Sequence, residues 1–227
     1  MKVIRSDFSA LEGTNCYCSE ESAAHIRQAV SSLPLNAVHM IGTGDYHYIS
    51  LFWLERIQEP FTLVLFDNHP DDQPSAFSPD TLSCGSWVAE ARKLKYCSED
   101  YWISAHPESL VRKSVAARGL VNGRGPSESL GGMSVAKIIR ARLSGCKGKT
   151  VYLSIDLDVL SKEFARTDWD QGTMSLDDLT EAVLELKKST RIIGVDICGG
   201  LTIQKGASPE DLAINSGTEK ALISLFE

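Results

Sequence analysis

The segment LFDNHPDD sets Asp67, His69 and Asp71 at alternate positions, and SIDLD repeats the spacing with Asp156 and Asp158. An extended backbone projects alternate side chains from one face, so each segment offers several donors to one small volume. His47, in GTGDYHY, adds an imidazole. For any single aspartate, capping a turn or a helix is the ordinary role. The set is different: two unit charges 4 Å apart repel by about 4 kcal/mol at an effective dielectric of 20, so clustered carboxylates need protons or cations. Two divalent cations about 3.5 to 4 Å apart would balance four aspartates. Imidazole and carboxylate donors without thiolate favour Mn2+ and also suit Fe2+, Co2+ or Zn2+.

Such convergence requires strands that end together. Apolar, β-branched runs at 2–5, 36–41, 61–66, 101–104, 150–155 and 191–197 predict strands buried on both faces. Helical spacing recurs between them: Val135, Ile138, Ile139 and Leu143 share one face, as do Leu176, Leu179, Val183 and Leu186. Ser175 with Asp178, and Ser208 with Pro209 and Asp211, mark two helix starts. Alternation of this kind predicts a three-layer α/β/α fold with a mainly parallel sheet. Ligands then bind beyond the carboxyl ends of the strands, which puts His47, Asp67, His69, Asp71, Asp156, Asp158 and Asp196 on one rim. The glycine-rich stretch 119–132 reads as a surface loop.

With 227 residues, 43% of them hydrophobic, the chain can bury one sizeable core, and a single domain over 1–227 is expected. A net charge of -7 argues against a nucleic-acid or anionic-membrane partner. MKVIRSDFSALEG lacks the apolar core of a signal peptide, and no run is long enough for a membrane span. The six cysteines form no CxxC pair, which fits reduced thiols and a cytoplasmic location. The expected partner is a small-molecule substrate, with self-association left open.

GTGDYHY, FDNHPDD and SIDLD resemble the three metal motifs of the ureohydrolases, the arginase, agmatinase and formiminoglutamase superfamily. The resemblance runs nearly end to end and fills all six ligand positions. It implies the arginase-deacetylase-like fold and two metals, one held by His47, Asp67, Asp71 and Asp156, the other by Asp67, His69, Asp156 and Asp158, with Asp67 and Asp156 bridging. It also implies hydrolysis of a linear, non-peptide C–N bond in an amidine, formimino or guanidino group, by a hydroxide between the metals whose proton passes to Asp71.

Departures from the family pattern bear on the substrate. The family's proton-shuttle histidine is matched by Cys84 in TLSCGSWV, and its guanidinium-gripping glutamate by Gly199 in VDICGG. Without that carboxylate a guanidinium loses its charge-assisted contact, so arginine and agmatine are expected to be poor substrates. FARTDWDQGTMS replaces a glycine- and proline-rich segment, which makes Asp168, Trp169 and Asp170 candidate substrate contacts beside Cys84 and Asp196. His106, directly after the strand YWIS, is the candidate acid or base, whereas His25 and His39 read as structural. Two alternatives stay open. One is a metal-binding or regulatory protein of this fold without turnover; the other is a deacetylase-like amidohydrolase, although the chain has no adjacent histidine pair.

Overall fold

The computed structural model describes residues 1–104, 111–115, 139–141 and 143–227, with 111–115 as backbone alone. The strands are β1 (Lys2–Arg5), β2 (Tyr17–Cys18), β3 (Ala37–Met40), β4 (Phe61–Phe66), β5 (Leu82–Ser83), β6 (Cys97–Ile103), β7 (Val111–Val115), β8 (Thr150–Asp156) and β9 (Arg191–Cys198). The helices described from end to end, of five or more residues, are α1 (Glu20–Ser31), α2 (Ile49–Leu54), α3 (Trp87–Ala91), α4 (Leu176–Ser189) and α5 (Pro209–Ser224). Seven strands form one sheet in the order β1-β3-β9-β8-β4-β6-β7, parallel except for β7. β2 and β5 pair as a separate antiparallel ribbon.

The apolar runs form strands because both faces of the sheet are covered. Along β4, Val64 and Phe66 pack on one side with Leu179, Val183 and Leu186 of α4 and Leu222 of α5. Leu63 and Leu65 pack on the other with Ile26 and Val30 of α1, Trp53 of α2 and Trp87 of α3. The result is the three-layer α/β/α arrangement with a mainly parallel sheet. Both expected helix starts occur: the Ser175 hydroxyl accepts from the Asp178 amide at 3.0 Å, and Ser208 and Asp211 form a reciprocal capping box ahead of Pro209. Ile139 and Leu143 of the other expected helix are buried. Its residues Val135 and Ile138, the 119–132 loop and His106 lie outside the described residues.

Chain order explains where a ligand must sit. From β4 the chain proceeds outward to β6, whereas from the adjacent β8 it proceeds in the opposite direction to β9. Their following loops part, which leaves a crevice at the carboxyl ends of β4 and β8. Asp67 follows the first strand and Asp156 ends the second. Among the described residues no helix is long and apolar enough to cross a membrane.

Candidate metal centre

Three loops at this edge supply the donors. After β3 the chain passes Gly42 and Thr43 into a single 3-10 turn, Gly44–Tyr46, which presents His47 inward. Gly44 is needed there, because a Cβ would come within 2.8 Å of Trp169 and 3.3 Å of Asp156 Oδ2. Asp67, His69 and Asp71 follow β4, and Asp71 takes a left-handed φ of 49°, which aspartate tolerates better than most residues. Asp156 and Asp158 straddle the start of the short 3-10 turn after β8, and Asp156 Oδ1 accepts the Asp158 amide at 2.9 Å.

The side chains converge. His47 Nδ1 lies 3.1 Å from Asp67 Oδ2, 3.1 Å from Asp71 Oδ2 and 3.4 Å from Asp156 Oδ2. His69 Nδ1 lies 2.8 Å from Asp158 Oδ2 and 3.6 Å from Asp67 Oδ1. Asp67 thus turns one oxygen to each histidine. Two donor groups that share Asp67 result, one with His47 and Asp71, the other with His69 and Asp158.

Hydrogen bonding behind His47 fixes its tautomer. Ser154 Oγ gives its proton to Asp196 Oδ1 at 2.6 Å, so toward His47 Nε2, at 2.9 Å, it can only accept. Nε2 therefore carries a proton, and Nδ1 points at three carboxylate oxygens. Carboxylates that converge on a buried imidazole nitrogen require a proton or a cation between them. Both His47 Nδ1 and Asp67 Oδ2 are buried without a hydrogen-bond partner. Burial, and then neighbouring acid groups, push Asp67 and Asp71 above the usual carboxylate range, Asp156 up to about 6 and Asp158 up to about 7. Without cations the cluster holds protons, and divalent ions would take their place. The donor set fits the binuclear divalent-metal centre that the resemblance implies.

Around the centre is a cavity of about 390 Å³ whose wall includes Phe77, Cys16, Cys84 and Trp169. Trp169 stands edge-on to His69 at 5.9 Å and donates through Nε1 to Asp45 Oδ1 at 3.1 Å. Asp168 is ion-paired to Lys205 at 3.1 Å, and Lys205 also binds Asp45. Asp170 touches the neighbouring loop through its carbonyl, which accepts from Asn68 at 2.8 Å. Of the three expected loop residues, Trp169 alone lines the cavity. Burial holds the Cys84 thiol well above its ordinary pKa, the opposite of an activated nucleophile.

Asp196 is a correction. Expected at the rim as a substrate contact, it is completely buried, paired in register with Ser154, and reaches the site only through Ser154 and His47. It holds Ser154, and through it His47, instead of facing the cavity. Asp45, Lys205, Cys16 and Ser154 went unread in the sequence. Ser154 could have been found, since it continues the alternation of SIDLD one step back along the strand.

Comparison with known proteins agrees with this geometry. The model of the arginase family matches residues 6–199. The chain belongs to that family. An uncharacterized protein of Thermotoga maritima is 33% identical over 162 residues, covering 71% of this chain and 57% of that protein. The chain therefore matches little more than half the length of that relative. Among solved structures, proclavaminate amidino hydrolase of Streptomyces clavuligerus superposes with a TM-score of 0.67 at 15% identity, over 92% of this chain and 70% of that one. Formimidoylglutamase of Bacillus subtilis gives 0.59 at 14% identity, over 91% and 66%. At such identities the superpositions establish a shared fold. This arginase-family chain is a divergent member, with Cys84 and Gly199 at the two positions noted above.

Proposed function

We propose that residues 1–227 form one ureohydrolase-like domain, cytoplasmic and acting on a small molecule, that hydrolyses a linear C–N bond in an amidine, formimino or guanidino group. The observation that carries this reading is the orphaned His47 Nδ1 facing the Asp67, Asp71 and Asp156 carboxylates, with Asp67 reaching over to His69. His47, Asp67, Asp71 and Asp156 would hold one cation, Asp67, His69, Asp156 and Asp158 the other, Mn2+ being the first expectation. When bound, the cations supply the Lewis acidity that makes water a nucleophile near neutral pH. Asp71, fixed at 2.7 Å by Trp87 Nε1, accepts the water's proton. Trp169, Phe77 and Cys84 wall the substrate side. His106, outside the described residues, is the proposed donor to the leaving nitrogen.

Arginine fits this pocket poorly. Gly199 has φ 101°, and a Cβ there would lie 2.1 Å from Asp156 Oδ1, so this backbone admits no glutamate. Of the three carboxylates that could take its place, Asp196 is buried behind His47 and Asp168 is held by Lys205, which leaves Asp170. A guanidinium without its partner loses a charged hydrogen bond of about 1.5 to 3 kcal/mol, roughly ten- to a hundredfold in affinity. The test is elemental analysis of the purified protein, followed by assays for ammonia, urea and formamide from a panel of amidines, formimino compounds and guanidines. Bound metal with product from an amidine or formimino compound is expected. Metal with no product from any compound would assign a metal-binding role instead.

A further inference from the structure

Metal preference in this fold depends on which donors the chain brings to the His47 side, and one donor there is neither imidazole nor carboxylate. The register of β8 and β9 pairs Asp156 with Cys198. Cys198 Sγ lies 3.1 Å from Asp156 Oδ2, the same oxygen that faces His47 Nδ1 at 3.4 Å. The sulfur, a carboxylate oxygen of Asp156 and a nitrogen of His47 all lie within 4.8 Å of one another, and all three residues are buried. The cysteine does not stand alone, since His47 Nδ1, 1% exposed and without a hydrogen-bond partner, points at the same cluster.

We infer that Cys198 is a thiolate ligand of the cation on the His47 side, which shifts that position from manganese toward softer zinc, cobalt or iron. This rests on the proposed binuclear centre and adds to it a donor that the six-residue set lacks. Thiolate selects softer ions, whereas carboxylate and water alone suit manganese. The exchange balances simply: the thiol gives its proton to the buffer as the divalent cation takes its place, and no electrons move. The same stretch of backbone serves both roles. Gly199 allows the chain to pass within contact distance of Asp156, and that close passage sets the preceding residue, Cys198, against Asp156 Oδ2.

Cobalt(II) is the probe, because a thiolate ligand gives it an intense near-ultraviolet charge-transfer absorption that oxygen and nitrogen ligands do not. Metal-free protein with reduced thiols is titrated with Co2+ while absorbance and bound cobalt are followed together. In the unmodified chain the band should grow with one of two bound equivalents. It should be lost in Cys198→Ser and kept in the double variant Cys16→Ser/Cys84→Ser, which removes the two thiols of the cavity wall. The ratio of Zn2+ to Mn2+ affinity should fall in Cys198→Ser by at least about tenfold, the scale on which even outer partners of a ligand alter metal binding. Two cobalt equivalents without the band in the unmodified chain would overturn the inference and leave the binuclear reading standing, whether or not Cys198→Ser folds. A band that survives Cys198→Ser, or disappears in the double variant, would also overturn it. Less than one equivalent in excess cobalt would overturn both.

Discussion

Replacing Gly199 with alanine should damage the fold and the metal centre together, although it adds one methyl group. The backbone there has φ 101°, where a side chain costs about 1–2 kcal/mol. The new Cβ would meet Asp156 Oδ1 at 2.1 Å and the Leu157 amide nitrogen at 2.8 Å, so the carboxylate must move by more than an ångström. That oxygen accepts the Asp158 amide at 2.9 Å, and breaking a hydrogen bond to a charged group costs about 1.5–3 kcal/mol. Together these give about 2.5–5 kcal/mol, or roughly 5–20 °C in melting temperature for a chain of this size. Urea unfolding of metal-free protein reads the stability loss, and elemental analysis after dialysis reads the metal. Gly199→Ala should unfold at lower urea and retain less metal than the unmodified chain. Gly199→Glu should behave at least as badly and should not gain arginine turnover. An unshifted midpoint with full metal retention in Gly199→Ala would refute this account of the glycine.

Asp67→Ala and Asp156→Ala should each release both ions, whereas Asp158→Ala should loosen mainly one; retention of two equivalents by either bridging variant, by elemental analysis, would contradict the ligand assignment. Ser154→Ala should leave the fold intact by circular dichroism but weaken metal binding about 10- to 100-fold in a competitive chelator titration, because His47 loses the acceptor that fixes its tautomer. His39, fully buried and stacked on Trp53, is held down to about pKa 4 by burial, so its neutral form is the one that folds. Its contribution is intact above the unfolded pKa of about 6.5 and is lost as pH falls toward 4, by about 3 kcal/mol in all. Urea midpoints measured in chelator between pH 7 and 4 should therefore fall less steeply for His39→Gln than for the unmodified chain.

Five of the six proposed donors were legible in the sequence because Asp67, His69 and Asp71, like Asp156 and Asp158, stand two apart where an apolar strand run ends, and His47 because it follows another such run; the left-handed Asp71 and the 3-10 turn at Asp158, which bring them together, were not legible. β4, β8 and β9 were legible because parallel strands covered on both faces read as unbroken apolar runs. β6 was half read, since its first residues include Glu99 and Asp100, acidic groups made tolerable in the core by Lys149 and Arg92, which come from elsewhere in the chain. Asp196 was misplaced for a related reason. A strand-end aspartate looks the same in front of a ligand as behind one, and the pairing with Ser154 that puts it one pleat deeper is set by the neighbouring strand. Asp45 and Lys205 come together across 160 positions, a separation that no spacing rule spans.

The binuclear claim is tested most directly by anomalous diffraction from crystals of the chain equilibrated with Mn2+, Co2+ or Zn2+. Two anomalous peaks about 3.5 to 4 Å apart should lie between His47 and His69, with the Asp67 carboxylate spanning them. A single peak, or peaks away from these side chains, would contradict it.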